Sequence, residues 1–202
     1  MVPPATYGFF GKMPVIGDFV QRNLNTALST ALDNWLQQGM FELQQQDPAF
    51  QEQYLAAPIS FFILPARIWA DHPVAGFILP SVDRVGRQFP LVFLRPLRTL
   101  EATPLTALSR ELETASNLAI TALQQQRGVD ELEQLMQGIS TPSDAVPGAA
   151  APSQIDLGQL IEEDRQSLWW QADTSAADSC MTLAATDVGR IFAFLYLRQV
   201  SG

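Results

Sequence analysis

The sequence predicts an α+β protein, with a mixed, largely antiparallel β-sheet of about five to seven strands packed by amphipathic helices. Two observations predict this class. Short apolar runs of strand length stand in two groups, before and after a long helical segment, so strands and helices do not alternate one for one. Apolar residues make up 47% of the 202 residues and include 12 Phe and 4 Trp, which is enough to build a core. The alternative architecture is a three-layer α/β/α sandwich.

The predicted strands are short apolar runs bounded by turn residues. An aromatic, glycine-rich strand is expected to enter a turn at 7–11. The earlier group then comprises 59–64, 75–79 and 89–94, and the later group comprises 167–171, 181–185 and 191–197. Pro90 has no amide hydrogen, so it predicts either an edge position for its strand or a strand that begins just after it.

The predicted helices have apolar residues at helical spacing and recognisable ends. Asn25 or Thr26 caps the first helix, which is expected to run to about residue 45. Thr103-Pro104 starts a long helix that is expected to end at about residue 126. Gly138 ends a shorter helix over 129–137.

The remaining segments are shorter or lack a period. Short helical pieces are expected near 50–55 and 157–163. Residues 140–154 have no apolar period and are expected to form a mobile loop. With no internal repeat in the chain, we expect a single domain over 1–202.

Composition and charge exclude several classes of protein. No apolar run approaches the length of a membrane-spanning helix, and the first residues carry no secretory signal. A single cysteine cannot form an internal disulfide, so the expected location is the cytoplasm. Residues 1–100 hold 7 acidic and 7 basic side chains, whereas 101–202 hold 14 acidic and 5 basic ones. With one lysine and a net charge of −9, the chain is a poor match for nucleic acid.

The chain contains little of the usual material of catalysis. One His and one Cys cannot build a zinc cluster, so we predict no metal site and no cofactor. A phosphate-binding loop needs Gly five residues before Gly11 and Ser or Thr after Lys12. Thr6 and Met13 stand at those positions, so the motif fails. No catalytic residues are predicted.

One segment combines glycines and a proline with two charges. The structural residues of this loop are Gly8, Gly11, Pro14 and Gly17. They imply a backbone of unusual torsions between aromatic neighbours. Asp18 either caps a following turn within a purely structural loop, or is displayed with Lys12 for recognition of a partner.

A second segment concentrates charge between two apolar strands. It runs Pro80-Ser81-Val82-Asp83-Arg84-Val85-Gly86-Arg87 and continues into Gln88-Phe89-Pro90-Leu91. Arginines bind carboxylates through two parallel hydrogen bonds, so Arg84 or Arg87 can pair internally with Asp83 or Asp18. The other interpretation is an anion or partner site that includes Ser81, with Gly86 shaping the loop.

Adjacent tryptophans form a third candidate. Trp169 and Trp170 cannot face the same side of a strand, so one indole is expected in the core and the other on the opposite face. That face is either covered by a helix or open, in which case its indole is a candidate for partner binding.

These segments resemble the TagF/ImpM family of type VI secretion system-associated proteins. The resemblance lies in Gly8-Phe9-Phe10-Gly11-Lys12-Met13-Pro14, Gly17-Asp18-Phe19-Val20, Trp35-Leu36, Pro80 to Arg87 with Phe89-Pro90-Leu91, and Ser167-Leu168-Trp169-Trp170. Met13 stands where the family more often has leucine. The family supplies no established catalytic residues, and no appended phosphatase domain is expected within these 202 residues.

The resemblance implies a post-translational repressor of type VI secretion that acts in the cytoplasm, at or near the membrane-bound machine. Its implied partner is the forkhead-associated scaffold protein of that system. On this hypothesis the glycine loop, the Asp83–Arg87 loop or an exposed tryptophan binds the partner. The alternative is a small phosphate- or nucleotide-binding enzyme or sensor that uses the residues Lys12, Asp18, Asp83, Arg84 and Arg87.

Overall fold

The computed structural model describes residues 6–97, 105–139, 166–172 and 181–197. These ranges hold seven strands, namely β1 Gly8–Lys12, β2 Phe19–Arg22, β3 Ser60–Leu64, β4 Val74–Leu79, β5 Leu91–Pro96, β6 Gln166–Gln171 and β7 Met181–Ala184. They also hold four α-helices, namely α1 Thr26–Gln46, α2 Leu105–Gln124, α3 Val129–Gln137 and α4 Val188–Tyr196. Two 3-10 turns, Phe50–Glu52 and Tyr54–Ala56, occupy the predicted short helical piece. The predicted loop at 140–154 and the predicted turn near 157–163 lie outside the described residues.

All seven described strands form one sheet in the order β2-β1-β5-β4-β3-β6-β7. Each neighbouring pair is antiparallel, which confirms the predicted α+β class; the sheet is wholly antiparallel rather than mixed over the described strands. Strand β5 lies inside the sheet between β1 and β4, and it begins directly after Pro90. The second interpretation of Pro90 is therefore confirmed.

Helices cover both faces of the sheet, as in the three-layer alternative. One face packs against α2 and α3, through residues such as Leu112, Ala119 and Met136. The other face packs against α1 and α4, through residues such as Trp35 and Phe192. Side chains alternate across a strand, so each buried strand supplies both cores.

Helix α1 begins where the sequence predicts and packs closely on α4. The Asn25 side chain caps it by accepting a hydrogen bond from the amide of Leu28, at 2.8 Å. Gly39 lies against the ring of Phe192, where a side chain would collide with that ring. This close approach joins α1 to α4.

The predicted strand at 191–197 is wrong, because most of this run belongs to helix α4. The Asp187 side chain accepts a hydrogen bond from the amide of Arg190 and so caps the helix. The run is almost wholly apolar because α4 is largely buried, and a buried helix has no polar face that would reveal its period. Strand β2 was not predicted; it places Val20 in the core and leaves Phe19 and Gln21 exposed.

A buried charged cluster holds α2 to the sheet. Arg95 of β5 donates two hydrogen bonds to the Glu111 carboxylate of α2, at 2.5 and 2.6 Å. The hydroxyl of Tyr7 donates a third, at 2.9 Å. Burial, reinforced by the Glu111 charge, raises the pKa of Tyr7 above its ordinary range. Burial alone lowers the pKa of Arg95, but its hydrogen bonds to Glu111 outweigh burial, so the net pKa is raised. The cluster is therefore paired and charged.

Within the described ranges, no helix combines the length and the apolar character needed to cross a membrane.

Candidate functional site

The two charged segments predicted from the sequence meet at the same end of the sheet. Lys12 closes strand β1, and the loop 81–89 joins β4 to β5. Because β1 and β4 are both neighbours of β5, the end of β1 lies beside that loop. The hydroxyl of Ser81 donates to the carbonyl oxygen of Lys12 at 2.7 Å, which fixes the first point of contact.

Asp83 is the centre of the contact between the two loops, and its side chain is fully buried. Its Oδ1 atom accepts hydrogen bonds from the amides of Val85 and Arg87, at 3.0 and 2.9 Å. Its Oδ2 atom lies 2.6 Å from Nε of Arg87 and 3.1 Å from Nζ of Lys12. We call Lys12, Asp83 and Arg87 the Asp83 network.

The Asp83 carboxylate is held in its charged form. Burial raises its pKa, but the hydrogen bonds from the amide and guanidinium of Arg87, from Lys12 and from Val85 outweigh burial. The net effect holds the pKa of Asp83 below its ordinary range. A buried carboxylate with a low pKa and four donors is a poor proton carrier at neutral pH.

Two further hydrogen bonds tie the loops together. Nη2 of Arg87 donates to the carbonyl oxygen of Gly17 at 2.7 Å, and the amide of Arg84 donates to the carbonyl oxygen of Ile16 at 2.9 Å. Gly11 has a φ of 142° and approaches the Pro90 carbonyl so closely that a Cβ atom would collide with it. The glycine and charged loops thus form one connected structure.

The 3-10 turns after α1 belong to the same structure. The hydroxyl of Tyr54 accepts a hydrogen bond from the amide of Ser81 at 3.3 Å. The side chain of Gln88 donates to the carbonyl oxygen of Gln51 at 3.0 Å. Burial raises the pKa of the Tyr54 hydroxyl, so it stays neutral in the physiological range.

The predicted site residues divide into a set that meets at Asp83 and a set that does not. The structure brings Lys12, Ser81, Asp83 and Arg87 together, with Gly17 beside them, and confirms the internal pairing of Arg87 with Asp83. Asp18 is exposed, and its carboxylate accepts a hydrogen bond from the amide of Phe19. Arg84 is exposed, and in the described part of the chain its guanidinium has no hydrogen-bond or ion-pair partner.

Trp169 and Trp170 lie away from these loops. They face opposite sides of β6, as predicted, and both are buried. Trp169 stacks with Trp35 of α1 at 6.0 Å between ring centroids, and Trp170 packs against Phe61 at 5.5 Å. The covered interpretation of the second indole therefore holds, and neither ring is displayed to a partner.

Sequence reasoning missed the exposed apolar residues beside the Asp83 network. Phe19 is 43% exposed and rests on Phe10 and Phe89, with Nζ of Lys12 5.4 Å from its ring centroid. Val85 is 68% exposed at the tip of the charged loop. An apolar residue between Arg84 and Gly86 in an otherwise polar turn was the available signal.

The geometry limits what the cluster can do chemically. Nζ of Lys12 and Nε of Arg87 both bind Asp83, so a phosphate could reach these two atoms only by displacing that carboxylate. Among the residues that the structure describes, no three His, Cys, Asp or Glu side chains are arranged to hold a metal ion. What remains accessible is a rigid surface of apolar and charged side chains.

The fold and the loops together define a structural class of protein. In this class an antiparallel sheet lies between two layers of helices, and two loops are joined by a network of charged residues centred on the buried Asp83. The chain belongs to the TagF N-terminal domain family, which is associated with the type VI secretion system; the family's model matches residues 8–139. The crystal structure of PA0076 from Pseudomonas aeruginosa PAO1 is similar over 94% of both chains, with a TM-score of 0.73 and 26% identity. No curated protein matches the sequence significantly.

Proposed function

We propose that this protein is a post-translational repressor of type VI secretion that acts by binding the forkhead-associated scaffold protein of that system. It works in the cytoplasm, peripheral to the membrane-bound machine through its partners. Membership of a secretion-associated family supports the setting. The buried Asp83 network supports a binding role, because it stiffens two loops while leaving their outer side chains free.

The observation that carries the proposal is that exposed apolar side chains lie on the segments that this network and Tyr54 join. We define the loop surface as Phe19, Leu55, Arg84 and Val85. Phe19, Leu55 and Val85 are three of the four large apolar residues exposed in the described ranges. The ring of Phe19 lies beside Nζ of Lys12, and the amide of Val85 donates to Asp83. Leu55 follows Tyr54, whose hydroxyl accepts a hydrogen bond from Ser81. Exposed apolar groups on a stiff frame are typical of docking surfaces.

Rigidity bears on the affinity that such a surface can reach. Ordering a flexible loop on binding costs roughly 0.5–1.5 kcal/mol for each immobilised side chain. Asp83 fixes the charged loop from inside before any partner arrives. Occupying the scaffold with a pre-formed surface would block contacts that the scaffold needs for assembly, which is how binding would repress secretion.

The test compares two equally exposed apolar residues. Val85→Asp changes the loop surface, whereas Phe41→Asp changes a residue of α1 that is 64% exposed. Isothermal titration calorimetry with purified scaffold is expected to show at least about a tenfold loss of affinity for Val85→Asp and no loss of affinity for Phe41→Asp. Unchanged affinity of Val85→Asp would remove the loop surface from the interface. An unchanged level of type VI secretion in cells that lack the protein would contradict the proposed repression.

A further inference from the structure

The loop surface contains one charged group with no partner in the described structure. Lys12, Arg84 and Arg87 are the three cations of the two loops, and Asp83 pairs with the first and the last. The exposed Asp18 lies beside Gly17 but forms no ion pair with Arg84. The two loops therefore hold three cations and two carboxylates in a chain whose net charge is −9.

The backbone of Arg84 is held in position. Its own amide is bonded to Ile16, and its neighbour Asp83 is fixed by four donors. A Cβ atom on Gly17 would lie 3.6 Å from Nη2 of Arg84, so the guanidinium extends over the bare backbone of that glycine. The side chain is thus directed across the glycine loop.

We propose that Arg84 binds a carboxylate of the partner protein, an Asp or Glu side chain surrounded by apolar residues. This inference rests on the proposed function and names the chemistry of its interface. A guanidinium presents parallel N–H donors that match the two oxygens of a carboxylate. Val85, the next residue, supplies an exposed apolar side chain, and excluding water from such a pair strengthens it.

The local charge favours this ligand over a basic one. Arg84 supplies the unpaired positive charge of the loops, whereas residues 101–202 are strongly acidic. Within the two loops, an acidic side chain on the partner would therefore be attracted to Arg84.

The experiment measures affinity for the purified scaffold with a matched charge control. Arg84→Glu is expected to weaken binding at least about tenfold, and Arg84→Lys by less, because lysine lacks the forked geometry. Arg110→Glu changes net charge identically at an exposed arginine of α2 and is expected to leave affinity unchanged. Thermal unfolding of Arg84→Glu is expected to match the unaltered protein, since the guanidinium has no partner to lose.

A reciprocal scan identifies the carboxylate. Each exposed Asp or Glu of the scaffold is changed to Arg, and one such variant is expected to recover affinity for Arg84→Glu. If Arg84→Glu binds normally while Val85→Asp does not, the carboxylate inference is wrong and the proposed function stands. If both bind normally, the carboxylate inference is wrong and the loop surface is not the interface. If the unaltered protein does not bind the scaffold, the proposed function is wrong. Loss of binding after phosphatase treatment of the scaffold would assign the contact to a phosphoryl group and overturn the inference.

Discussion

The Nζ atom of Lys12 lies 3.1 Å from Oδ2 of Asp83, and this ion pair joins the end of β1 to the loop between β4 and β5. The two residues stand in different segments of the chain and meet only because β5 pairs with both β1 and β4. The pair is therefore a product of strand order, and the stiffness of the loop surface depends on it.

Replacing Asp83 by Asn should lower stability at neutral pH and change its pH dependence. The folded-state pKa of Asp83 is depressed, so its contribution is present above the unfolded pKa of about 3.9 and is lost as the pH falls through the folded value. The stability gap between the two proteins should therefore narrow below about pH 4. Urea unfolding between pH 2 and 7 measures this difference in the free energy of unfolding. The control is Asp18→Asn, which changes an exposed carboxylate. If the stabilities of the unaltered protein and Asp83→Asn changed in parallel over that pH range, the pairing of Asp83 with Lys12 and Arg87 would be contradicted.

Gly11→Ala should destabilise the protein by about 2 kcal/mol or more. Its φ of 142° disfavours any side chain, and the added methyl would collide with the Pro90 carbonyl. Gly138→Ala is the control, because that residue has a helical backbone with φ −74° and room for a Cβ atom. Denaturant midpoints compare the two variants. Equal midpoints would mean that the loop backbone can relax around the methyl group.

Two conservative substitutions in the buried cluster beneath α2 should lower the stability of the protein by different amounts. Glu111→Gln leaves the Arg95 charge buried without its ion pair and should cost about 3 kcal/mol. Tyr7→Phe removes one hydrogen bond and should cost about 1 kcal/mol. Free energies of unfolding give both values. A larger loss for Tyr7→Phe would show that the hydroxyl, and not the ion pair, dominates the cluster.

Phosphates and nucleotides should leave the melting temperature unchanged. Nζ of Lys12 and Nε of Arg87 are bound to Asp83, so a phosphate that used these two atoms would have to displace a buried carboxylate. A ligand present at 100 times its Kd would add about 2.7 kcal/mol of stability, which thermal shift detects easily. Asp83→Ala frees both cations and serves as the comparison. A clear shift with the unaltered protein would revive the phosphate- or nucleotide-binding hypothesis.

Local signals predicted most of the fold. The cap at Asn25, the end of α3 at Gly138 and the start of β5 after Pro90 are set by neighbouring residues, and each is found where the sequence places it. Helix α4 was mistaken for a strand because burial removes its polar face. Strand β2 is too short and too polar to be recognised without its partner β1.

The candidate site was predictable only in part. Asp83 and Arg87 are four residues apart in one loop, so their pairing could be anticipated. The participation of Lys12 and Tyr54 depends on strand order and on the turn after α1, which no local pattern encodes. Whether Trp170 is covered likewise depends on which helix packs on β6. Both tryptophan side chains are buried, so neither forms part of the exposed surface.

The position of β6 also matters while the protein is being synthesised. Strand β6 pairs with β3, although about half of the chain separates the two. Until β6 and α4 have left the ribosome, Phe62 and Trp35 lack the rings of Trp169 and Phe192 that later cover them. A nascent chain of this protein therefore carries an exposed aromatic surface through much of its translation, and one that stalls before β6 is a ready target for chaperones and proteases.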